Sequence, residues 1–481
     1  MSTTLLPPPP IAAASARRTW PGALWRYLVC FALLPNLPFW LLAPREGVAA
    51  AGWLSLDALL LGVVALYLRP SLVYPLFVVD FFLDVAAAIC HTFGIGFVDV
   101  ARSAGYITQT LAHAQLRSIA IWIGLILAVV GAAWIWLRPR LQPPQRPAFA
   151  AILLAISLLW AGAAHVAPSR SFVSRSLRSP AADFAHAWRR ESIWNRLRGV
   201  GPDALTTAAS AADQTQPFLR TGQPNLVVVL VESWGDANSV ALRSALVQPF
   251  VSAALAQRYQ VRQGLVHFNG PTGDGIMREL CDLNLGVAPE GSLAKPAQLQ
   301  TCLPSRLQHQ GYRTLALDSV AGFWPGGAAF YRQFGIQQVV AYPQLHAQGL
   351  ADFIAGPFRA VRDQDTAAQL PKLLQASSPQ PTFVFYLTVS AHLPIHLPLP
   401  ASYNAACSLA PAVRDSAQAC GWYRIERLTL ASIAAAAMAP GLPPTVFAIV
   451  GDHNPPFVDT ARDDFSLDQV PYVILAPHPR R

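Results

Sequence analysis

The first third of the chain is too apolar to be the core of an ordinary soluble domain. Before residue 167 it contains five apolar stretches of about 18 to 22 residues, each long enough to cross roughly 30 Å of hydrocarbon. They cover residues 24–43, 51–68, 71–92, 118–137 and 148–166. The sequence therefore predicts a transmembrane domain of five helices at residues 21–167, after a cytoplasmic tail at residues 1–20. A cleaved signal peptide is a poor alternative, because further spans follow closely.

Basic residues near the spans predict the orientation. By the positive-inside rule, the side of the membrane that carries them is the cytoplasm. They are Arg17, Arg18, Arg26, Arg69, Arg138, Arg140 and Arg146. Five crossings then place the chain after residue 167 on the opposite side. The formal net charge of +9 fits contact with anionic lipids, and no basic run interleaved with aromatic residues indicates nucleic acid.

The chain after the last span has two parts. Residues 168–220 are polar, and the segment FAHAWRRESIWNRLRGVG within them alternates aromatic and basic residues at helical spacing. This spacing predicts an interfacial helix in a linker, and a helix packed on the domain is an equal alternative. Residues 221–481 alternate helical stretches with short apolar runs at 226–233, 313–319, 382–390, 445–450 and 472–477. Such runs predict strands covered on both faces, and hence an α/β domain with a mostly parallel central sheet.

Polar side chains stand where these runs end, the edge at which such sheets bind ligands. Glu232 ends the first run, and Asp452 and His453 follow the run at 445–450. A carboxylate beside an imidazole at a buried edge needs a partner. Two carboxylates and an imidazole are suitable ligands for one divalent ion, zinc or manganese.

A threonine stands between glycines in FNGPTGDGIMRELCDL, residues 268–283, just before a predicted helix. Thr272 has an ordinary explanation, because threonine is a common N-cap. Next to a divalent metal, however, its hydroxyl loses a proton more easily and becomes a nucleophile. The N-terminus of the following helix suits a phosphate. We therefore predict Thr272 as nucleophile and additional metal ligand, with the N-cap as the alternative.

The four cysteines of the last part form an even set, which is typical of an exported domain. Proximity in sequence favours the disulfides Cys281–Cys302 and Cys407–Cys420. Four cysteines allow three connectivities, and four free buried thiols are a further alternative.

Four segments, NLVVVLVESWG, GPTGDGIMRELC, CLPSRLQHQGYRT and VGDHNPPF, together resemble the membrane-anchored phosphoethanolamine transferases and lipoteichoic acid synthases of the alkaline phosphatase and sulfatase superfamily. The resemblance covers residues 225–477 and implies a sulfatase-like catalytic domain. It implies one metal, Zn or Mn, held by Glu232, Thr272, Asp452 and His453. His392, with His396 as second choice, would contact the substrate phosphate and move a proton.

The resemblance also implies a reaction and a location. Phosphoethanolamine, or phosphoglycerol, would pass from a membrane phospholipid, with phosphatidylethanolamine preferred, to Thr272 and then to a lipid or glycan of the cell envelope. The protein would lie in a bacterial inner membrane, with its catalytic domain in the periplasm.

Two other functions fit parts of the sequence. The segment CLPSR at 302–306 matches the cysteine signature that sulfatases convert to formylglycine, which favours a sulfatase or a related phosphodiesterase-type hydrolase. Its position, far past the predicted nucleophile segment, argues against this. A lipid-binding regulator that has kept only the fold is the second alternative. Within the third span, Asp80 and Asp84 either face a path for lipid headgroups or hydrogen-bond between helices.

Overall fold

The structure is a computed structural model of the 481-residue chain. It describes most of the chain in eleven ranges, within which residues 27, 221, 269, 271, 357, 394, 462, 463 and 467 are excepted. The ranges are 25–41, 54–93, 116–137, 146–166, 177–179, 206–284, 299–321, 327–375, 379–395, 406–457 and 461–478. The chain divides into two compact units, of which the second contains Phe184–Arg481. The predicted interfacial helix lies outside the described residues.

The helices before residue 167 follow the predicted spans in part. A turn at residues 34–36 divides the first span, and the second contains a helix of 10 residues. The other three spans are helices of 24, 22 and 21 residues. The helices are Val29–Leu33, which is a π-helix, Leu37–Leu41, Leu56–Ala65, Pro70–Phe93, Leu116–Leu137 and Arg146–Val166.

By length and hydropathy, one helix among the described residues could cross a membrane, through its segment Ser71–Ala88. The five crossings and the domain boundaries therefore stay predictions.

A seven-stranded sheet forms the centre of the second unit. We number its strands in chain order: β1 (Asn225–Val231), β2 (Tyr259–His267), β3 (Arg313–Asp318), β4 (Gln338–Ala341), β5 (Thr382–Leu387), β6 (Thr445–Gly451) and β7 (Gln469–Pro477). Their order across the sheet is β2-β7-β6-β1-β5-β3-β4. The strands from β6 to β4 pair in parallel, and β7 pairs antiparallel with both of its neighbours, β6 and β2. The predicted mostly parallel sheet is confirmed.

Both faces of the sheet are covered, which explains its continuous apolar strands. In β1, Val227 and Val229 pack into one hydrophobic core, while Leu226 and Val228 pack into the other. The Ala417–Ala437 helix covers the first face, and the Thr272–Cys281 and Leu303–His309 helices cover the second. All five predicted strands are present.

The remaining elements are short. The helices are Gln216–Leu219, Val240–Val247, Ala253–Arg258, Gly327–Arg332, Tyr342–Ala347, Asp363–Ala367, Leu370–Gln375 and Pro411–Arg414, with 3-10 turns at Asp213–Thr215, Gln248–Phe250 and Ala406–Leu409. The strands outside the main sheet are the hairpin Asp352–Ala355 with Phe358–Val361, and the pairs Leu54–Ser55 with Leu177–Arg178 and Thr206–Thr207 with Leu283–Asn284.

Both predicted disulfides are present, so the alternative of four free thiols is wrong. Cys281 pairs with Cys302, and Cys407 pairs with Cys420. Cys281 is the last residue of the Thr272–Cys281 helix, and Cys302 is the N-cap of the Leu303–His309 helix. The first disulfide therefore joins the two helices that cover one face of the sheet.

Replacing Cys281 and Cys302 together by serine should destabilise the second unit. The disulfide closes a loop with a sequence separation of 21, and for loops near this length the free energy of unfolding falls by roughly 3 kcal/mol when the link is removed. The measurement is the thermal unfolding midpoint of the full-length protein in detergent. Reductant should lower the wild-type midpoint as well. An unchanged midpoint in both cases would contradict the role of this link.

Candidate active site

The site forms beyond the carboxyl ends of the neighbouring strands β1 and β6. Glu232 directly follows β1, and its backbone N–H donates to Thr388 Oγ1 at 2.9 Å. Asp452 directly follows β6, and its N–H donates to the Val231 carbonyl at 3.1 Å. The strands end level because Val231 pairs with Gly451 in the parallel ladder. Two carboxylates, 2% and 0% exposed, are therefore buried side by side.

Ser233 turns the chain sharply after Glu232. Its φ of 61° lies in the left-handed region, which is uncommon for a residue with a side chain. In this conformation the Ser233 N–H donates to Asp452 Oδ1 at 2.7 Å, and its hydroxyl donates to Glu232 Oε1 at 2.8 Å. Backbone strain of this kind clusters at functional sites, and here it links the two carboxylates.

His453 directs one ring nitrogen at these carboxylates. Its Nδ1 lies 2.8 Å from the Asn454 carbonyl oxygen, so Nδ1 carries the proton and donates it. This contact leaves Nε2 as the basic nitrogen. Nε2 lies 3.4 Å from Asp452 Oδ2 and 3.7 Å from Glu232 Oε1.

Thr272, the first residue of its helix, completes the cluster. Its Oγ1 lies 3.3 Å from Glu232 Oε2 and 3.4 Å from His453 Nε2. Gly275, one turn later, lets the helix approach closely, because a Cβ there would lie 3.0 Å from the Asp452 Cβ. The structure thus brings together the four residues that the sequence predicts as metal ligands.

The cluster fits a divalent cation. One ligand atom from each of Glu232, Asp452 and His453 lies within 4.8 Å of the other two. Asp452 Oδ2 is buried and accepts no hydrogen bond among the described residues, although buried polar atoms normally have a partner. A cation shared with Glu232 and His453 would give this oxygen its partner. Carboxylate and imidazole ligands suit zinc and manganese.

The buried carboxylates of the cluster favour the binding of positive charge. Burial raises the pKa of Asp452 to about 7, and the neighbouring Glu232 adds to this rise. Burial alone would lower the pKa of His453, but the carboxylates of Asp452 and Glu232 outweigh it, and the pKa is raised. Proton uptake by Asp452 or His453 reduces the repulsion between the two carboxylates. A divalent cation carries two positive charges and would reduce this repulsion more.

His392 is held near the cluster in its neutral form. Its Nδ1 lies 2.6 Å from the Leu393 carbonyl oxygen, and the ring of Phe358 meets it edge-on at a centroid distance of 4.9 Å. Gly356, with φ of 54°, lies so close to Nδ1 that a Cβ would collide with the ring. Burial lowers the pKa of His392 to about 4, with a further lowering from His453. His396 lies outside the described residues.

A further buried carboxyl lies near the cluster, and the sequence analysis did not predict it. Glu426 is fully buried in the Ala417–Ala437 helix, and neither of its carboxyl oxygens has a hydrogen-bond partner among the described residues. Burial raises its pKa well above the ordinary value, and Asp363, Asp452 and Glu232 raise it further, which favours the neutral form of this carboxyl. A glutamate on the apolar face of a helix, between Trp422 and Leu430, was the available signal.

A comparison with protein-family models identifies the family of the chain. The sulfatase family model matches residues 224–479, which is more than half of the chain. The chain belongs to the sulfatase family. The predicted membership of the alkaline phosphatase and sulfatase superfamily is confirmed. A search of curated protein sequences gives no match.

Solved structures similar to this sulfatase-family chain share little sequence with it. A Vibrio parahaemolyticus protein of the alkaline phosphatase superfamily is 17% identical with a TM-score of 0.36, covering 53% of this chain and 61% of its own. The lipoteichoic acid synthase LtaP from Listeria monocytogenes is 13% identical with a TM-score of 0.39, covering 58% and 71%. The periplasmic domain of EptC from Escherichia coli is 11% identical with a TM-score of 0.35, covering 53% and 73%. The chain thus spans less than two thirds of the length of the Vibrio protein.

Metal affinity should rise with pH. The pKa of Asp452 is raised to about 7, and the pKa of His453 is raised as well. Up to two protons must therefore leave before a cation binds, so affinity for Zn²⁺ should fall by about 10- to 100-fold per pH unit below about pH 7. The measurement is the dissociation constant of the full-length protein at several pH values, by competition with a chelating dye.

The variant Asp452→Asn is the control, because an amide has no proton to release. It should bind the metal weakly and with less dependence on pH. Without metal, ionisation of a carboxyl whose pKa is raised costs stability, so the variant should gain stability over wild type as the pH rises from about 4 to about 7. If the Zn²⁺ affinity of the wild-type protein did not change with pH, the predicted deprotonation of Asp452 on metal binding would be wrong.

Proposed function

We propose that this chain transfers phosphoethanolamine or phosphoglycerol from a membrane phospholipid to a lipid or glycan acceptor of the cell envelope. The transfer passes through a phosphothreonine at Thr272, and phosphatidylethanolamine is the preferred donor. One observation carries the proposal: a buried threonine hydroxyl lies within 3.4 Å of Glu232 Oε2 and His453 Nε2. A hydroxyl needs such an environment to act as a nucleophile.

Glu232, Asp452 and His453 hold the metal, zinc or manganese, with Thr272 as the additional ligand. The bound cation supplies acidity, since it lowers the pKa of a hydroxyl within its reach. Thr272 Oγ1 already donates to Glu232 Oε2, which orients the oxygen. The N-terminus of the Thr272–Cys281 helix offers N–H groups to the phosphate.

The transfer then takes two displacements. In the first, Thr272 Oγ1 loses its proton and bonds to phosphorus while the bond from phosphorus to the diacylglycerol oxygen breaks. The leaving oxygen gains a proton, which balances the one that Thr272 loses. In the second, the acceptor hydroxyl loses its proton and bonds to phosphorus while the bond to Thr272 Oγ1 breaks, and Thr272 Oγ1 regains a proton. His392 is the base for this step, because Nδ1 donates to the Leu393 carbonyl and leaves Nε2 as the nitrogen that can take the acceptor proton.

The disulfides argue against formylglycine chemistry at CLPSR. Cys302 is bonded to Cys281, so its sulfur is not available for conversion to an aldehyde. The candidate nucleophile at the metal cluster is Thr272 and not Cys302. A regulator without chemistry is also disfavoured, since all four predicted ligands stand together.

A location outside the cytoplasm is part of the proposal. Two disulfides in one domain are typical of an oxidising compartment, which fits a periplasmic catalytic domain at residues 221–481. Five crossings at residues 21–167 and an interfacial linker at 168–220 would hold this domain at the inner membrane, next to a lipid donor. A fixed position at the bilayer replaces a search through solution.

Mass spectrometry can test the intermediate directly. The full-length protein in lipid nanodiscs containing phosphatidylethanolamine and Zn²⁺ or Mn²⁺ should acquire phosphoethanolamine on the peptide that contains Thr272. Nanodiscs with phosphatidylglycerol test the other headgroup in parallel. The variant Thr272→Ser keeps a hydroxyl and should be labelled on the serine, whereas Thr272→Ala should not be labelled.

The outcomes separate the candidate functions. Labelling from phosphatidylglycerol alone would change the headgroup and keep the reaction. A labelled Thr272 that passes its group only to water would make the protein a hydrolase. No label with either lipid, on protein that has bound its metal, would overturn the proposal.

A further inference from the structure

Arg278 is a buried cation on the same helix as Thr272. It follows Thr272 by six residues, and only 1% of it is exposed. Thr272, Gly275 and Arg278 are spaced three residues apart, so they follow one side of the helix. All three lie against the same segment, the end of β6 and the residues that follow it.

The Arg278 guanidinium joins this helix to the backbone of the metal ligands. Its Nη2 donates to the Gly451 carbonyl at 2.6 Å, and its Nη1 donates to the Asp452 carbonyl at 3.2 Å. These two peptide groups immediately precede Asp452 and His453. Because the Asp452 N–H is already bonded to Val231, the backbone of Asp452 is held from two sides.

Glu279 orients the guanidinium. Arg278 Nε donates to Glu279 Oε1 at 2.6 Å, and Glu279 Oε2 accepts the Ala212 N–H at 2.9 Å. A planar guanidinium fixed through Nε presents its two outer nitrogens in one direction. Lysine could reach one carbonyl but could not reproduce this fork.

We propose that Arg278 is a positioning residue for the metal centre. It holds the Asp452–His453 pair at the distance from Thr272 that one cation requires, and Gly275 permits that distance. The part concerning Thr272 as nucleophile rests on the proposed function, whereas the effect on metal binding does not. Residues that orient metal ligands through hydrogen bonds typically affect metal affinity by about 10- to 100-fold.

The competing explanation is a buried ion pair that only stabilises the fold. Arg258 offers a matched control, because it also donates to two backbone carbonyls of the chain around β6. Its Nη1 and Nη2 bond the carbonyls of Ala439 and Leu442 at 3.0 and 3.1 Å. These residues precede β6, at the end of the strand opposite to the metal cluster. Arg258→Lys and Arg278→Lys therefore remove the same kind of contact from opposite ends of one strand.

The test measures Zn²⁺ affinity of the full-length protein without substrate, beside the thermal unfolding midpoint. Arg278→Lys should weaken Zn²⁺ binding by about 10- to 100-fold, whereas Arg258→Lys should leave affinity unchanged even if its midpoint falls. If the Arg278→Lys variant binds Zn²⁺ with wild-type affinity, the proposal is overturned, whatever the thermal unfolding midpoint of the variant. Equal losses of affinity in both variants would overturn it too, because the effect would then be general destabilisation.

Gly275→Ala keeps the proposal testable if Arg278→Lys does not fold. The added Cβ would press on Asp452, at 3.0 Å from its Cβ and 3.2 Å from its Cα, so it changes the same spacing while Arg278 stays in place. Weaker Zn²⁺ binding supports the positioning role, and wild-type affinity contradicts it. If wild type forms no adduct on Thr272 while these variants lose Zn²⁺ affinity, the proposed transfer fails and the positioning role stands.

Discussion

Two carboxylates buried side by side are the constraint on which the rest of the site depends. The parallel pairing of β1 with β6 places Glu232 and Asp452 at one edge of the sheet, away from water that would screen their repulsion. Burial, and after it the charge of Glu232, raises the pKa of Asp452, so proton uptake is one way to relieve this repulsion. A divalent cation relieves it without neutralising the ligands, which makes the geometry suitable for metal rather than for packing.

Of the four oxygens of these carboxylates, only Asp452 Oδ2 accepts no hydrogen bond among the described residues. Asp452 Oδ1 accepts two N–H groups, from Ser233 and His453, while Oδ2 is left facing His453. The left-handed turn at Ser233 and the missing Cβ at Gly275 both allow groups to approach this pair closely. The strained turn at Ser233 and the close packing at Gly275 thus both bring groups near the carboxylates, and the Thr272 hydroxyl fits into the resulting cluster.

Continuous apolar strands and the polar residues after them were readable from the sequence, because burial on both faces and strand ends leave simple patterns. The strands β2 and β4 were not predicted. The middle of β2 is partly exposed at the sheet edge, so its Gln and Arg side chains hide the strand pattern, and β4 has only four residues. Arg278 and Glu426 were missed for another reason: the sequence does not say which face of a helix meets the strand ends.

Hydrogen-bond donors explain why two other buried carboxyls, those of Asp363 and Glu426, differ in pKa. Asp363 accepts N–H groups from Val389 and Ser390. Burial raises its pKa to about 6, and these N–H groups limit the rise, so it is mostly ionised at neutral pH. Glu426 has no such donors among the described residues, and its pKa is raised much further. One divalent cation offsets two negative charges, those of Glu232 and Asp452. The raised pKa of Glu426 favours its neutral form, and in that form it adds no charge that would compete for the cation or repel an anionic phosphate.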